Sequence, residues 1–256
     1  MKTRCLIMAL VCILGFASAA RAEWQFSLGT GLAALKAKGD MGFNVALGGI
    51  GPIMAEVDLS PADFNDYMSS AFGLAGAASD GKWMIQYAYA QLELEDDPAT
   101  TVGVYNITSD LSFKIASGEL TVGYPFFGNE GVVLRGYTGF RYIKHELETK
   151  VQVNGNTRIN RNIDNSWTDM LLGVSADVPF AEAWSWNTKL DAGFGGSEGS
   201  FYVNSGIQWR FAEHWSTGIY AQYYAIEFEN ASKGDADWYF YDVDESCLGL
   251  KIAYVF

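Results

Sequence analysis

The strongest constraint on the fold is an alternation of apolar and polar residues that recurs through most of the chain. In WSWNTKLDAGFG, residues 184–195, every second residue from Trp184 to Phe194 is apolar or Thr, and the residues between them are Ser, Asn, Lys, Asp and Gly. The same arrangement recurs in residues 134–142, 170–180, 201–211 and 215–224. A period of two residues is typical of β-strands with two different faces, so the sequence predicts an all-β fold.

A soluble sandwich also alternates, and the content of the two faces separates it from a membrane barrel. The apolar faces carry aromatic residues at strand ends, where an interfacial girdle lies in a membrane. These residues are Trp24, Trp83, Trp184, Phe211, Trp215 and Tyr254. The polar faces are rich in Gly, Ser, Asn and Gln, and several segments have the ~10 residues that cross a bilayer at a tilt. We therefore predict a closed antiparallel transmembrane β-barrel.

The breaks in the alternation give twelve strands, an even number, as expected when both chain ends lie on the same side of the membrane. The predicted strands are 24–35, 42–50 (with residue 58 as an alternative end), 68–79, 82–95, 100–108, 111–126, 131–147, 165–180, 183–197, 199–212, 214–228 and 243–256. Ten strands are the alternative, because residues 100–127 also fit one long strand with a bulge. SPADFNDYM, residues 60–68, breaks the alternation and fits either one helical turn beginning at Ser60 and Pro61 or an ordinary loop.

The connections also follow a pattern. FAEAW, residues 180–184, and FAEHW, residues 211–215, are short links that fit periplasmic turns. The longer polar segments 148–166 and 229–246 fit outer loops and the strand extensions that carry them.

The N-terminal residues predict export. MKTRCLIMALVCILGFASAARA has a basic head with Lys2 and Arg4, a short apolar run and an Ala-Arg-Ala exit, which is the pattern of a cleaved secretory signal peptide. We therefore divide the chain into a signal peptide, 1–22, and a barrel domain, 23–256. Removing the signal peptide takes away three of the 17 basic residues and leaves 14 beside 30 acidic ones. This balance argues against a nucleic-acid partner.

The last nine residues, LGLKIAYVF, carry a second signal. Their alternate positions are large and apolar: Leu248, Leu250, Ile252, Tyr254 and Phe256. In a closed barrel the last strand pairs with the first, because lipid offers no hydrogen bonds to an unpaired edge. The segment resembles the C-terminal strand of Gram-negative outer-membrane barrels. The resemblance implies recognition by the barrel-assembly machinery, with periplasmic chaperones as further partners, and a final location among outer-membrane lipid and lipopolysaccharide.

Residues 166–211 carry a further resemblance. The segment SWTDMLLGVSADVPFAEAWSWNTKLDAGFGGSEGSFYVNSGIQWRF is similar to a family of small Gram-negative outer-membrane barrel proteins with a Trp-Asp start, a Gly-x-Arg strand and Asp-x-Gly-Gly-Phe-Gly. This chain has Trp167 and Asp169, but no Arg follows Gly173, and Asp191-Ala192-Gly193-Phe194-Gly195 lacks one Gly. The likeness covers about the last 140 residues. It implies the fold and carries no agreed activity.

By alternation, nine charged side chains point into the barrel. They are Glu119, Arg135, Arg141, Asp169, Asp177, Lys189, Asp191, Arg210 and Lys251. A charge in a narrow lumen is costly unless it is paired, and the two signs are similar in number. Two interpretations stay open: a cross-barrel network that fills a small lumen, or a narrow water-filled pore whose charges tune ion passage.

Residues for catalysis or metal binding are scarce. The sequence has two histidines, and His145 in YIKHELE has no serine in a Ser-x-His or His-x-Ser pair. His214, in the FAEHW turn, fits a solvated turn residue. The acidic residues of segment 229–246 lack the spacing and glycine of a calcium-binding hand loop. Cys247 is the single cysteine of residues 23–256, so these residues have no internal disulfide and no cysteine-based metal site. We assign no catalytic residue, no metal site and no cofactor.

Three functions follow as hypotheses. The first is a porin-like or structural outer-membrane protein whose charged lumen is narrow or plugged. The second is an outer-membrane enzyme that acts on lipid or lipopolysaccharide through His145 or an acidic cluster. The third is a surface-loop binding protein or adhesin that uses residues 229–246.

Overall fold

The computed structural model describes residues 24–44, 51–97, 99–102, 105–129 and 131–256, so the predicted signal peptide lies outside the described residues. Twelve strands and one short helix follow one another along these ranges. The strands are β1 (Gln25–Phe43), β2 (Ile53–Leu59), β3 (Met68–Ser79), β4 (Met84–Asp96), β5 (Ala99–Val102), β6 (Tyr105–Asn129), β7 (Val132–Val153), β8 (Asn156–Ala181), β9 (Trp184–Phe194), β10 (Gly199–Arg210), β11 (Trp215–Glu229) and β12 (Tyr239–Val255). The helix, α1 (Pro61–Tyr67), lies between β2 and β3. No helix in the described ranges has the length and apolar character needed to cross a bilayer.

The strands form one antiparallel sheet that closes on itself. β12 pairs with β1 along its whole length, from Ser27–Val255 to Phe43–Tyr239. The closed path runs through β1, β3, β4, β6, β7, β8, β9, β10, β11 and β12, and β2 and β5 lie outside it. The prediction of a closed antiparallel barrel is confirmed. The count of twelve barrel strands is wrong, and the alternative of ten holds.

The count differs partly because β5 is a continuation of β4. Asp96 pairs with Leu111, and three residues later Ala99 pairs with Thr108, so β4 and β5 meet β6 in one register. β6 then runs unbroken through residues 109 and 110, where the pattern indicated a break. The pattern failed there because both faces of residues 106–110 are mostly polar, and alternation no longer marks a strand.

The count also differs in the region predicted as strands 42–50 and 68–79. Residues 45–50 lie outside the described residues, and β2 and β3 are two halves of one barrel strand. On β1, Ala37 pairs with Leu59 of β2, and Gly29 pairs with Ala75 of β3. The two β1 residues are eight positions apart, whereas their partners are sixteen positions apart. An uninterrupted strand would have advanced by only eight, so residues 60–67 are an eight-residue insertion. This insertion contains α1.

Ser60 explains why the inserted residues are helical. Its hydroxyl accepts a hydrogen bond from the backbone N–H of Asp63, and the Asp63 carboxylate accepts one from the backbone N–H of Ser60. This reciprocal capping box satisfies N–H groups that the first helical turn leaves unpaired, and Pro61 fits the first position because it has no N–H. The helical alternative for this segment is confirmed.

The outward face of the barrel carries an apolar belt. Its exposed side chains include Leu120, Phe140, Leu172, Ile219 and Leu250, which are 52–65% exposed. Aromatic rings contact one another along the end of the barrel that holds the turn 211–214 and the C-terminal residue, which we call the base. These rings are Trp83, Tyr124, Phe180, Trp184, Trp209, Phe211, Trp215, Tyr254 and Phe256.

At the opposite end, which we call the rim, the outward face becomes charged. On β7 the exposed rings of Phe140 and Tyr142 are followed on the same face by Lys144, Glu146 and Glu148. Such a change marks the upper limit of a surface that hydrocarbon can cover. β7 and β8 continue beyond it as a hairpin whose turn is formed by Asn154 and Gly155. Their φ angles of 52° and 76° lie in the left-handed region, which Asn and Gly adopt more readily than other residues.

Candidate functional site

Four of the predicted lumen charges form one ion-pair network. Arg141 on β7 donates from Nη2 to Glu119 Oε2 on β6 at 2.7 Å and to Asp191 Oδ1 on β9 at 3.0 Å. Lys189 on β9 donates to the other carboxylate oxygen of Glu119. The side chains of Arg141 and Asp191 are 5% and 0% exposed. Each buried charge therefore has an opposite charge that offsets part of its desolvation cost.

Tyr137 extends the network across one intervening strand. Its hydroxyl donates to Asp191 Oδ2 at 2.7 Å, although Tyr137 is on β7 and Asp191 on β9. Gly173 on β8 lies between them, and a Cβ at this glycine would be 2.4 Å from Cζ of Tyr137. The ring can lie across β8 only because position 173 has no side chain.

Two further tyrosines extend the network to β10 and β11. The Arg141 guanidinium carbon lies 4.8 Å from the ring centre of Tyr202 on β10 and 4.9 Å from that of Tyr224 on β11. Both distances suit cation–π attraction. Sequence reasoning did not single out Tyr137, Tyr202 or Tyr224. The sequence feature that could have identified these tyrosines is their size, since the polar faces are otherwise rich in Gly, Ser, Asn and Gln.

The structure places the other predicted charges outside this network. Nearer the base, Arg135 donates to Asp177, which also accepts from Asn187 Nδ2 at 2.6 Å. Arg210 is exposed at the base and donates to the Glu182 carbonyl at 3.4 Å. Within the described residues, Lys251 has no carboxylate within 4.0 Å.

Asp169 is buried and holds the turn between β9 and β10. One carboxylate oxygen accepts from the backbone N–H groups of Gly196 and Ser197, at 3.1 and 2.8 Å. The other accepts from the hydroxyls of Ser197 and Ser200, at 2.7 and 3.3 Å. Asp169 thus positions a turn and has no ion pair among the described residues.

A hydrophobic core fills the interior of the barrel at the rim. Its buried members come from α1, from β7 and β8, and from β1, β11 and β12 across the lumen. They are Ala37, Phe43, Phe64, Ile143, Leu147, Ile163, Trp167, Tyr224, Ile226, Phe228, Tyr239, Tyr241 and Val243. We call this set the rim core. Side chains of this kind in mutual contact leave little room for water.

His145 lies inside the rim core. Its Nδ1 is 2.8 Å from the Tyr239 hydroxyl, and its ring packs edge-to-face on Trp167 and Tyr241 with centroids 4.9 and 4.5 Å apart. Burial lowers the pKa of His145 to about 3, because the cation would be desolvated. His145 is therefore neutral at pH 7 and enclosed by rings, with no serine bonded to it in the described residues.

The other histidine is in a turn at the base. Nδ1 of His214 lies 2.9 Å from the Val255 carbonyl oxygen, and its ring stacks on Tyr254. These contacts attach the 211–214 turn to the last strand. Neither histidine presents a geometry for nucleophilic catalysis.

Much of segment 229–246 is strand, since β12 begins at Tyr239. Asp244 accepts from the Tyr223 hydroxyl at 2.8 Å, and Glu245 points inward and accepts from the Tyr241 hydroxyl at 2.9 Å. The loop itself is tied by Asp235, which accepts from the N–H of Ser232 at 3.0 Å. In the part of the chain that the structure describes, no three His, Cys, Asp or Glu side chains group as metal ligands would.

Two solved structures have a similar architecture. The outer membrane protease OmpT from Escherichia coli aligns with a TM-score of 0.57 and 7% identity, covering 92% of this chain and 98% of that one. The translocator domain of the autotransporter NalP from Neisseria meningitidis aligns with a TM-score of 0.53 and 9% identity, covering 99% of this chain and 95% of that one. The chain has the fold of a bacterial outer-membrane β-barrel.

The likeness concerns this fold alone. One of the two similar barrels is a protease and the other a translocator domain, so the outer-membrane barrel architecture is shared by proteins with different roles. No protein-family model matches the sequence, and a comparison with curated proteins finds no match either.

Proposed function

We propose that this chain is an outer-membrane barrel protein with a structural role, whose lumen is plugged at the rim and does not conduct ions. The barrel fold and the exposed apolar belt support the membrane location. The interior of the barrel supports the plugged form of the first hypothesis over the water-filled pore.

One observation carries the proposal: two opposite walls of the barrel touch. β7 and β12 are five strands apart on a closed path of ten, so they face each other across the lumen. His145 on β7 contacts Tyr239 and Tyr241 on β12 through the 2.8 Å hydrogen bond and the packed rings described above. An ion passing along the axis would have to separate these side chains.

The size of the barrel agrees with a plug. Barrels of about 8 strands are filled by their side chains, whereas those with 16 or more leave a channel. Ten strands lie close to the filled limit. Below the rim core, the network around Arg141 occupies the side of the lumen formed by β6 to β11.

The alternative functions have less support. An enzyme that used His145 would need its substrate to enter the rim core, where this histidine is 2% exposed. A surface binder would use the 230–238 loop, in which residues 232–237 are exposed. The ends of this loop are tied down: Asn230 Nδ2 donates to the Asp237 carbonyl at 2.9 Å, and Trp238 Nε1 donates to Glu229.

Export and assembly complete the proposal. Residues 1–22 would direct the chain to the periplasm and be removed. The alternate apolar residues from Leu248 to Phe256 would then be read by the barrel-assembly machinery after delivery by periplasmic chaperones. The folded barrel would lie among phospholipid and lipopolysaccharide.

Conductance across a planar bilayer tests the plug. We expect no unitary openings from the wild-type protein. The triple variant His145→Ala, Tyr239→Ala, Tyr241→Ala removes the contacts between β7 and β12 and should open a conducting path. A matched variant, Leu172→Ala, removes an outward side chain and should stay silent. Heat-dependent mobility on SDS gels establishes that each variant is folded and inserted.

Steady openings of the wild-type barrel, with a conductance that changes in Lys189→Gln, would contradict the proposal and favour a narrow pore. Silence of the folded triple variant would show that the plug does not depend on these contacts.

A further inference from the structure

The wall of the barrel has an unpaired seam between β1 and β3. The ladder between these strands ends at Gly29–Ala75, and β1 next pairs on this side at Ala37–Leu59. Residues 30–36 of β1, roughly 23 Å of strand, therefore face residues 68–74 of β3 without ladder pairing. β3 stays paired with β4 over the same residues, which begin directly after α1.

The seam lies within the apolar belt. On its other side, β1 pairs Thr30 with Ile252, Leu32 with Leu250, and Ala34 with Leu248, which are belt residues of β12. The outward edges of the seam are Leu32 and Phe72, 82% and 58% exposed. The opening is therefore continuous with the surface that hydrocarbon covers.

Behind the seam, the lumen has a hollow lined by small side chains. Six inward-facing residues of β1, β3 and β4 are exposed, whereas Arg141 and Asp191 on the opposite side are buried. They are Gly31, Ala33, Ala71, Ala75, Ala88 and Ala90. The rim core closes the hollow above through Leu35, Leu92 and Phe64.

A bare seam at this depth is costly. Backbone N–H and C=O groups that face hydrocarbon have no partner, and a closed barrel normally avoids such edges. Thr30 Oγ1 donates to the Gly73 carbonyl at 2.7 Å and satisfies one group near the lower end. A molecule that fills the seam would need a hydrocarbon part for the hollow and polar atoms that can form hydrogen bonds with the unpaired strand edges.

Lys36 indicates the chemistry of the occupant's polar end. It is exposed on the outward face of β1 at the upper end of the seam, opposite Ser246, and no described carboxylate lies within 4.0 Å of it. An ammonium group at the level of lipid headgroups attracts phosphate. We propose that the seam binds one membrane lipid, with its phosphate at Lys36, its ester or amide groups along the strand edges and an acyl chain in the hollow. This proposal rests on the proposed membrane location of the barrel.

Nitroxide labels read the environment of the hollow. Single cysteines replace Ala33 in the hollow, Asn204 on the inward face of β10, and Leu172 on the outward face, in a background in which the native cysteines are Ser. The protein is reconstituted in vesicles of phosphatidylethanolamine and phosphatidylglycerol. Collisions with oxygen report hydrocarbon, and collisions with a water-soluble nickel complex report water.

The label at Ala33→Cys should resemble that at Leu172→Cys, with high oxygen and low nickel accessibility, although Ala33 faces inward. The label at Asn204→Cys should be protected from oxygen. Lys36→Glu should lower the oxygen accessibility at position 33 roughly twofold or more. Lys82→Glu, at an exposed lysine near the base, should leave it unchanged.

A nickel-accessible label at position 33 would mean a water-filled hollow, and protection from both reagents would mean a sealed seam. Either result overturns the lipid site while leaving the membrane barrel intact. An unchanged signal in Lys36→Glu would remove the headgroup contact, and with it the proposed lipid. Nickel accessibility at Leu172→Cys would instead overturn the membrane location itself.

Discussion

Nδ1 of His145 lies 2.8 Å from the hydroxyl oxygen of Tyr239, although the two side chains extend from opposite sides of the barrel. The hydrogen bond is surrounded by the rings of Phe113, Trp167 and Tyr241. In so apolar a site a neutral imidazole is tolerated, and an imidazolium is not. The contact that closes the rim therefore depends on the protonation state of His145.

Acidification should destabilise the protein through His145. The pKa of this side chain falls from 6.5 to about 3 on burial. Below pH 6.5 the unfolded chain binds a proton that the folded chain does not, so the free energy of unfolding falls as the pH falls. Between pH 7 and pH 5 the contribution of His145 to this loss is about 2 kcal/mol, measured by urea titration in vesicles as the difference between the wild type and His145→Phe.

The control for this pH dependence is the second histidine. His145→Phe should flatten the slope between pH 7 and pH 5, whereas His214→Phe, at an exposed turn, should keep it. A slope that survives in His145→Phe would assign the effect to other groups.

Removing Arg141 should cost more than removing any exposed arginine. Arg141→Ala leaves Asp191, which is 0% exposed, without its cation. Breaking a buried pair on one side costs about 3–5 kcal/mol. Arg210→Ala, at the exposed base, should change the free energy of unfolding by less than about 0.5 kcal/mol. Adding Asp191→Asn to Arg141→Ala should recover part of the loss, and further destabilisation would contradict a charge effect.

Gly173→Ala should displace the ring of Tyr137. The new Cβ would be 2.4 Å from Cζ of Tyr137, so the ring would have to move and give up its hydrogen bond to Asp191. We expect a loss of about 1–3 kcal/mol and a changed near-ultraviolet tyrosine signal. Gly118→Ala is the matched control, since nothing lies within 4 Å of a Cβ there. Equal stability of both variants would show that the wall relaxes around the methyl group.

Deleting Phe256 should affect assembly more than stability. The backbone N–H of Phe256 donates to the Phe26 carbonyl at 2.8 Å, and its ring packs edge-to-face on Tyr254. Loss of one such hydrogen bond costs about 1 kcal/mol in the folded barrel. If the terminal aromatic is an assembly signal, the amount of folded protein in the membrane should fall several-fold. Phe211→Ala removes another exposed aromatic at the base, and an equal loss there would argue against a signal at position 256.

The local sequence pattern was sufficient to predict the outward face of the strands and the closure of the barrel. The alternation from Trp184 to Phe194 reappears as mostly exposed apolar residues facing outward and partly or fully buried polar residues facing inward. The final strand pairs with the first, as the apolar residues from Leu248 to Phe256 indicated. Both features can be predicted one strand at a time, because a bilayer favours an apolar outer face and a last strand that pairs with the first.

The strand count needed the tertiary structure. Residues 60–67 had the sequence of a helix start at Ser60, yet nothing local shows that they interrupt a single barrel strand. Likewise, residues 106–110 are mostly polar on both faces, so no alternation in the sequence shows that they belong to β6. Only the pairing of distant residues, such as Gly29 with Ala75, shows that two segments belong to one strand.

The chain by itself determined which residues face outward and which face the interior, because that choice depends only on parity along a strand. Tertiary structure decided which interior side chains meet. His145 looked like a lumen or loop residue, and it lies in an aromatic core because β12 lies opposite β7. Partners across a barrel are set by the number and stagger of its strands, and these are properties of the closed sheet rather than of any segment.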